Sequence, residues 1–169
     1  MAIRARAIVT EVDRGWGALK KTLELIKASN GGAVVNVGFV GDKAHQAHPG
    51  TGGLTNNELG MVHEFGSPAA GIPERSFLRS TFDEQRPAYK ELARKLCRAV
   101  IERKMSVPTA LKVLGLKAES DVRAKIRSHI PPPNSPATIA AKGSSTPLID
   151  TGQMVNAIAS QVIIKGQPQ

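Results

Sequence analysis

The stretch IPPPNSPATIAAKGSSTPLIDTGQMVNAIASQVII, Ile130 to Ile164, decides how this chain is read. Prolines at 131–133 end any helix that precedes them, because proline has no amide to donate and its ring blocks the turn before it. Pro, Ser, Thr and Gly then dominate residues 131–147, which are too polar to pack alone and too long for a simple turn. A short apolar run, Leu148-Ile149, meets Asp150-Thr151-Gly152. Gln153 to Ala159 carries the pattern of a short amphipathic helix, and Ser160 to Ile164 reads as a strand. An aspartate just ahead of a helix can accept backbone amides two or three residues on, so Asp150 is expected to be the helix N-cap.

A terminal strand needs a partner, and Ala33 to Val40, AVVNVGFV, is a β-branched run that Gly41-Asp42 turns out of. Residues 3–12 are a further candidate strand. Between them, residues 13–28 set Trp16, Leu19, Leu23 and Ile26 at helical spacing, and Asn30-Gly31-Gly32 stops that helix. Residues 41–54 form a polar, glycine-rich loop. Thr55, with Glu58 three positions on, has the capping-box arrangement for a helix through Leu59, Val62 and Phe65. After a loop at 66–73, a long helix is expected from about Ser76, with Pro87 in the first turn of its main body and Leu92, Leu96, Val100 and Ile101 on one apolar face. Ser106 caps a second helical stretch, with Pro108 in its first turn, that runs toward Ile130. Residues 76–129 are therefore a helical hairpin, or one helix kinked near Met105. The expected fold class is α+β: a small, mainly antiparallel sheet packed against a long helix or helical hairpin, with extended loops at 41–54 and 131–147, in one domain over 1–169. Neither loop carries enough apolar side chain to offset its ordering entropy, so both are expected to order only against a neighbouring chain.

With 41% hydrophobic but only 4% aromatic residues, Leu, Ile, Val and Ala must fill the core. The lone cysteine, Cys97, excludes a disulfide within the chain, fits a reducing compartment, and is read as a small core residue. No apolar run approaches a membrane span, and the N-terminus lacks the apolar core of a signal peptide. A soluble protein of the cell interior, without membrane contact, is expected. The net charge of +9 is concentrated: residues 86–129 hold twelve Lys and Arg against four acids, whereas residues 31–85 hold three against six. Such a segment fits either contact with nucleic acid or a solvated helical face.

Three chemistries can be weighed. Leu148-Ile149-Asp150-Thr151-Gly152 resembles the signature of retroviral-type aspartic proteases, in which two carboxylates share one proton. The flap and supporting strands of such a fold must follow the aspartate, and a helical pattern follows here instead, so the capping role is preferred. His45-x-x-His48 with His63-Glu64 invites a metal site, but the zincin pattern is absent and two of the ligands sit on a loop. The glycines at 50–53 lack the Gly-Lys-Ser/Thr ending of a P-loop. No catalytic, cofactor-binding or metal residue is assigned, and no cofactor is expected.

Two phrases carry a resemblance to a known family. His63-Glu64-Phe65-Gly66 followed by Ile72-Pro73-Glu74-Arg75-Ser76-Phe77-Leu78-Arg79 is similar to a phrase of the neck, or tail-completion, proteins that join head and tail in long-tailed bacteriophages. Ser76 stands where that phrase commonly has proline. Ser135 to Gly143 and Pro147 to Met154 resemble the family's second phrase, in the right order. The resemblance implies a non-enzymatic virion protein: a small sheet on a long helix, assembled as a homo-ring of six copies, of tail-completion or tail-terminator type. It would bind a head-side adaptor or connector protein on one face and a tail-tube or tail-terminator protein on the other. DNA would pass through its lumen without sequence-specific contact, an arrangement the positive charge suits. Its place would be the neck of the virion, and the host cytoplasm during assembly. Arg75 and Arg79, at i and i+4 around Phe77 and Leu78, and Lys142 are the candidate contacts to a neighbouring subunit or partner; a plain helix entry with solvated arginines is the alternative for the arginine pair. The alternative function is a free DNA-binding protein that uses the basic helices 86–129.

Overall fold

The two β-branched runs, at opposite ends of the described chain, pair antiparallel: Ala33–Phe39 (β1) lies against Ile158–Ile164 (β2), with Val35 opposite Val162 and Val37 opposite Ser160. The computed structural model describes residues 33–164, so the helix expected over 13–28 and the strand considered over 3–12 lie outside the described residues. Five helices come between the strands: Asn56–Phe65 (α1), Leu78–Ile101 (α2), Val107–Arg127 (α3), Pro136–Lys142 (α4) and Gln153–Ala157 (α5). This is the α+β arrangement that the hydrophobic periods predict.

The period-2 pattern of β1 explains where the sheet sits. Ala33, Val35, Val37 and Phe39 face inward and are half-buried, while Val34 and Asn36 face outward and are exposed. The helix α3 lies against the inner face, and Gly115 permits the approach. A methyl group there would stand 3.0 Å from both Ser160 Cβ and Val35 Cγ1. Above the sheet, Phe77, Val122, Ile126, Ile130, Leu148, Met154, Val155 and Ile158 form the main core. Phe39 meets Phe77 edge to face, with ring centroids 6.1 Å apart.

The 76–129 segment is a true hairpin. Its second helix is capped as expected, Ser106 Oγ accepting the Thr109 amide at 3.3 Å. Away from the sheet the hairpin holds only a small second cluster, Leu96, Val100 and Ala110, with Leu92, Met105, Val107 and Leu114 half-buried around it.

Several expectations are corrected. Pro87 is well inside α2 rather than in a first turn. It and Asp83 are both exposed, so the carbonyl left without an amide faces water. Cys97 is exposed, because Leu92, Leu96 and Val100 already fill the inward stripe and the next residue is rotated about 100° out of it. Ile101 is 61% exposed for the same reason.

The two loops form hydrogen bonds within the chain, while residues 131–141 are exposed apart from the half-buried Asn134. In 41–54, Ala44 and His48 are buried. The His48 amide bonds Leu54 O at 2.7 Å, and Asn56 Nδ2 donates to Lys43 O at 2.8 Å. In 131–147, Ser135 caps α4, and backbone carbonyls of the proline run accept from Arg75.

Asp150 is not a cap. The N-cap of α5 is Gly152, in the left-handed region at φ 78°, and the amide of Gln153 is taken by Thr151 Oγ1 at 3.2 Å. The turn that Gly152 makes carries the Asp150 side chain out to solvent.

Candidate functional site

The entry to α2 has no Ser, Thr, Asp or Asn at its cap position; Phe77 stands there, with no side-chain oxygen to offer. The acceptor comes from another helix. Glu64, near the end of α1 and only 3% exposed, receives the amides of Phe77 and Leu78 on Oε2, both at 2.8 Å, and that of Arg79 on Oε1 at 3.0 Å. Ser76 Oγ donates to the same carboxylate at 2.7 Å, and Arg79 Nε at 3.0 Å. A carboxylate at a helix N-terminus also meets the positive end of the helix dipole. Burial alone would raise the Glu64 carboxyl, but the Leu78, Arg79 and Phe77 amides and the Ser76 hydroxyl outweigh it and hold it below the ordinary range.

Gly66 completes this corner. It adopts φ 74°, and a side chain on it would press against the Glu74 amide at 2.8 Å, so the chain doubles back beside α1. The Arg75 amide then bonds His63 O at 2.8 Å. The phrase running from His63 to Arg79 is thus one self-bonded unit.

Arg75 and Arg79 part company. Arg79 stays on the surface, pairing with Glu64 and with Glu74 at 2.7 Å and lying over the exposed Phe65 ring at 4.6 Å. Arg75 turns inward and is 6% exposed. Its Nε donates to Pro132 O at 2.8 Å, and its Nη2 donates to Pro133 O at 3.2 Å. Arg75 is therefore not a solvated arginine: its Nε and Nη2 are taken up by bonds within its own chain. It precedes the helix and ties the first phrase to the second within one chain. Phe77, fully buried in the main core, is no contact surface. Leu78 is half-buried against that core, and Lys142 is half-buried at the end of α4.

Between the joined phrases lies a cleft of about 480 Å³, with His63, Ile72, Pro73, Arg75, Lys142, Leu148 and Asp150 in its walls. Leu148 holds a left-handed backbone, φ 62°, unusual for a leucine, while its side chain is buried in the core. Burial, together with the charges of Arg75, Lys142 and His48, draws His63 down to about 4, so it is neutral near pH 7. Lys142 is also lowered, first by burial, with Arg75 adding to the effect and Asp150 opposing it.

The histidines weighed as metal ligands have other roles or positions. His48 is bonded through Nδ1 to Asn56 Oδ1 at 2.9 Å, and His45 is exposed. Among the described residues no group of three His, Cys, Asp or Glu is placed to hold a metal ion, and no helix is long and apolar enough to cross a membrane. Sequence reasoning missed Glu64 as a cap. The available signal was negative: a helix start without a capping side chain requires an acceptor from elsewhere.

Comparison with known protein families, with curated proteins and with solved structures finds no match.

Proposed function

We propose that the chain is a structural component of a bacteriophage neck, a ring-forming protein of tail-completion or tail-terminator type that joins head connector to tail around the DNA channel. The observation that carries this reading is the convergence of the two phrases. They are separated by more than fifty residues of helical hairpin, yet Arg75 of the first bonds the carbonyls that lead into the second. Contact between the two phrases within one chain supports reading them together.

Two surface features support assembly. The sheet has two strands among the described residues, so each strand has an edge without a described neighbour, the kind of edge to which another chain can add a strand. Apolar side chains are also exposed on different elements, Met61 and Phe65 on α1 and Val113 and Leu116 on α3. Unlike patches on unlike faces suit the heterologous contacts that close a ring.

The net positive charge of the hairpin suits a lumen through which DNA passes. Seven of the twelve Lys and Arg in residues 86–129 are in ion pairs, which leaves Lys90, Arg98, Arg103, Lys112 and Arg127 without one among the described residues. Negative-stain images and mass photometry of the purified protein test the ring, and immunogold labelling of particles tests its place. A strictly monomeric protein absent from virions would remove the proposal. Tight, steeply salt-dependent DNA binding by such a monomer would put the free DNA-binding reading in its place.

A further inference from the structure

The cleft between the phrases has an unbalanced charge. Arg75 is almost wholly buried, yet it forms no ion pair among the described residues; neutral oxygens of Pro132, Pro133 and Asn134 take its Nε and Nη2. Its Nη1 has no hydrogen-bond partner among the described residues, and the side chain borders the cleft. A guanidinium does not lose its proton in a protein, so the charge remains and calls for an anion. Lys142 is a second cation in the wall, also without an ion pair among the described residues. The acid in the lining is Asp150, which is exposed. His63 adds a buried Nδ1 with no hydrogen-bond partner among the described residues.

The shape narrows the class of ligand. A cleft of about 480 Å³ is in the range that encloses a small organic ligand, well beyond a single oxyanion. Ile72, Pro73 and Leu148 give it apolar wall beside the cations. Its walls hold two Lys or Arg side chains, Arg75 and Lys142, and not the row of cations that tracks a nucleic-acid backbone.

We propose that this cleft receives an acidic side chain from an extended segment of another protein chain, its carboxylate between Arg75 Nη1 and Lys142 Nζ and the flanking apolar atoms against Ile72, Pro73 and Leu148. The inference deepens the neck reading and rests on it only for whose segment this is, an adjoining subunit or partner ring; the binding chemistry stands by itself.

The test is a set of titrations into isotope-labelled protein followed by NMR, using acetyl-Leu-Glu-Leu-amide, its glutamine counterpart, inorganic phosphate and a short oligothymidine. The glutamate peptide is expected to shift the amides of residues 72–75, 138–142 and 148. The glutamine peptide should bind at least about tenfold more weakly, since a charge-assisted hydrogen bond is lost. Lys142→Gln should weaken the glutamate peptide about tenfold with an unchanged urea midpoint, and Arg75→Lys should weaken it at wild-type backbone shifts elsewhere. Equal binding of the two peptides, no shift at these residues, or undiminished binding by Lys142→Gln would overturn the proposal. So would phosphate binding as tightly as the peptide, which marks a plain anion site, or oligothymidine displacing the peptide, which marks a nucleic-acid site. Ring formation by the wild type is scored separately by negative stain. Rings without peptide binding sink the cleft alone, and peptide binding without rings sinks the neck reading alone.

Discussion

The sheet end of the molecule and the tip of the helical hairpin share α2 and α3, yet they are held together by different forces. At the sheet end, eight buried apolar residues are joined by directional bonds between distant segments, five of them to the Glu64 carboxylate alone. At the tip, Leu96, Val100 and Ala110 are the buried cluster, and the nearby ion pairs Arg94–Glu91 and Lys104–Glu102 are exposed. Exposed pairs contribute little, whereas buried polar groups are costly to leave unpaired. The sheet end is therefore specified by long-range bonds, and the tip by local helix formation with a thin strip of burial. The tip is the part expected to open first under native conditions.

The sharpest way to break the contrast is Glu64→Ala. It leaves the amides of Phe77, Leu78 and Arg79, the Ser76 hydroxyl and Arg79 Nε without their acceptor, and a loss of about 3–5 kcal/mol is expected by urea denaturation. Glu64→Gln keeps one acceptor oxygen and should lose about 1–3 kcal/mol. A loss below 1 kcal/mol for the alanine variant would mean that the long-range cap is dispensable.

Truncations in the two apolar clusters compare them directly. Phe77→Ala should cost about 3–5 kcal/mol, and Leu96→Ala about 2 kcal/mol, at the low end for a buried leucine because the tip can collapse or admit water. Hydrogen exchange should then show Leu96→Ala accelerating amides near 92–114 while those of 118–130 keep their protection. Uniform acceleration would show that the hairpin opens as one unit.

Acid should weaken the sheet end selectively. Unfolded, His63 takes a proton near its ordinary value of 6.5, but folded it resists until about pH 4. Between those values the unfolded state binds more protons, so stability falls as pH is lowered through that window, by about 3 kcal/mol in all. Glu64 acts in the same direction lower down: its depressed carboxyl contributes stability above its unfolded value that is lost as pH falls through the folded one. His63→Gln should flatten the upper part of the stability profile, and a slope unchanged by that substitution would remove His63 as its source.

The smallest expected effect is at Asp150. Its side chain is exposed and caps nothing, so Asp150→Asn should change stability by less than about 0.5 kcal/mol. Thr151→Ala, which removes the oxygen that accepts the Gln153 amide, should cost more, about 0.5–1 kcal/mol. Reversal of that order would restore the aspartate as the cap.

Sequence alone determined what depends on residues close together in the chain. The helical hairpin, the capping box of Thr55 with Glu58, the Ser106 cap and the strand character of Ala33–Phe39 all follow from spacing and local hydrogen bonding. Cys97 and Ile101 were misjudged because apolar character does not say which side of a stripe one residue's rotation will reach. Tertiary structure decided the direction of Arg75, the capping of α2 by Glu64, the internal bonding of the two loops and the cleft between the phrases. Each of these joins polar groups that are far apart in sequence or meet across a sharp turn. Their positions are fixed by the packing of α1, α2 and the proline run, a geometry that no local pattern of residues encodes.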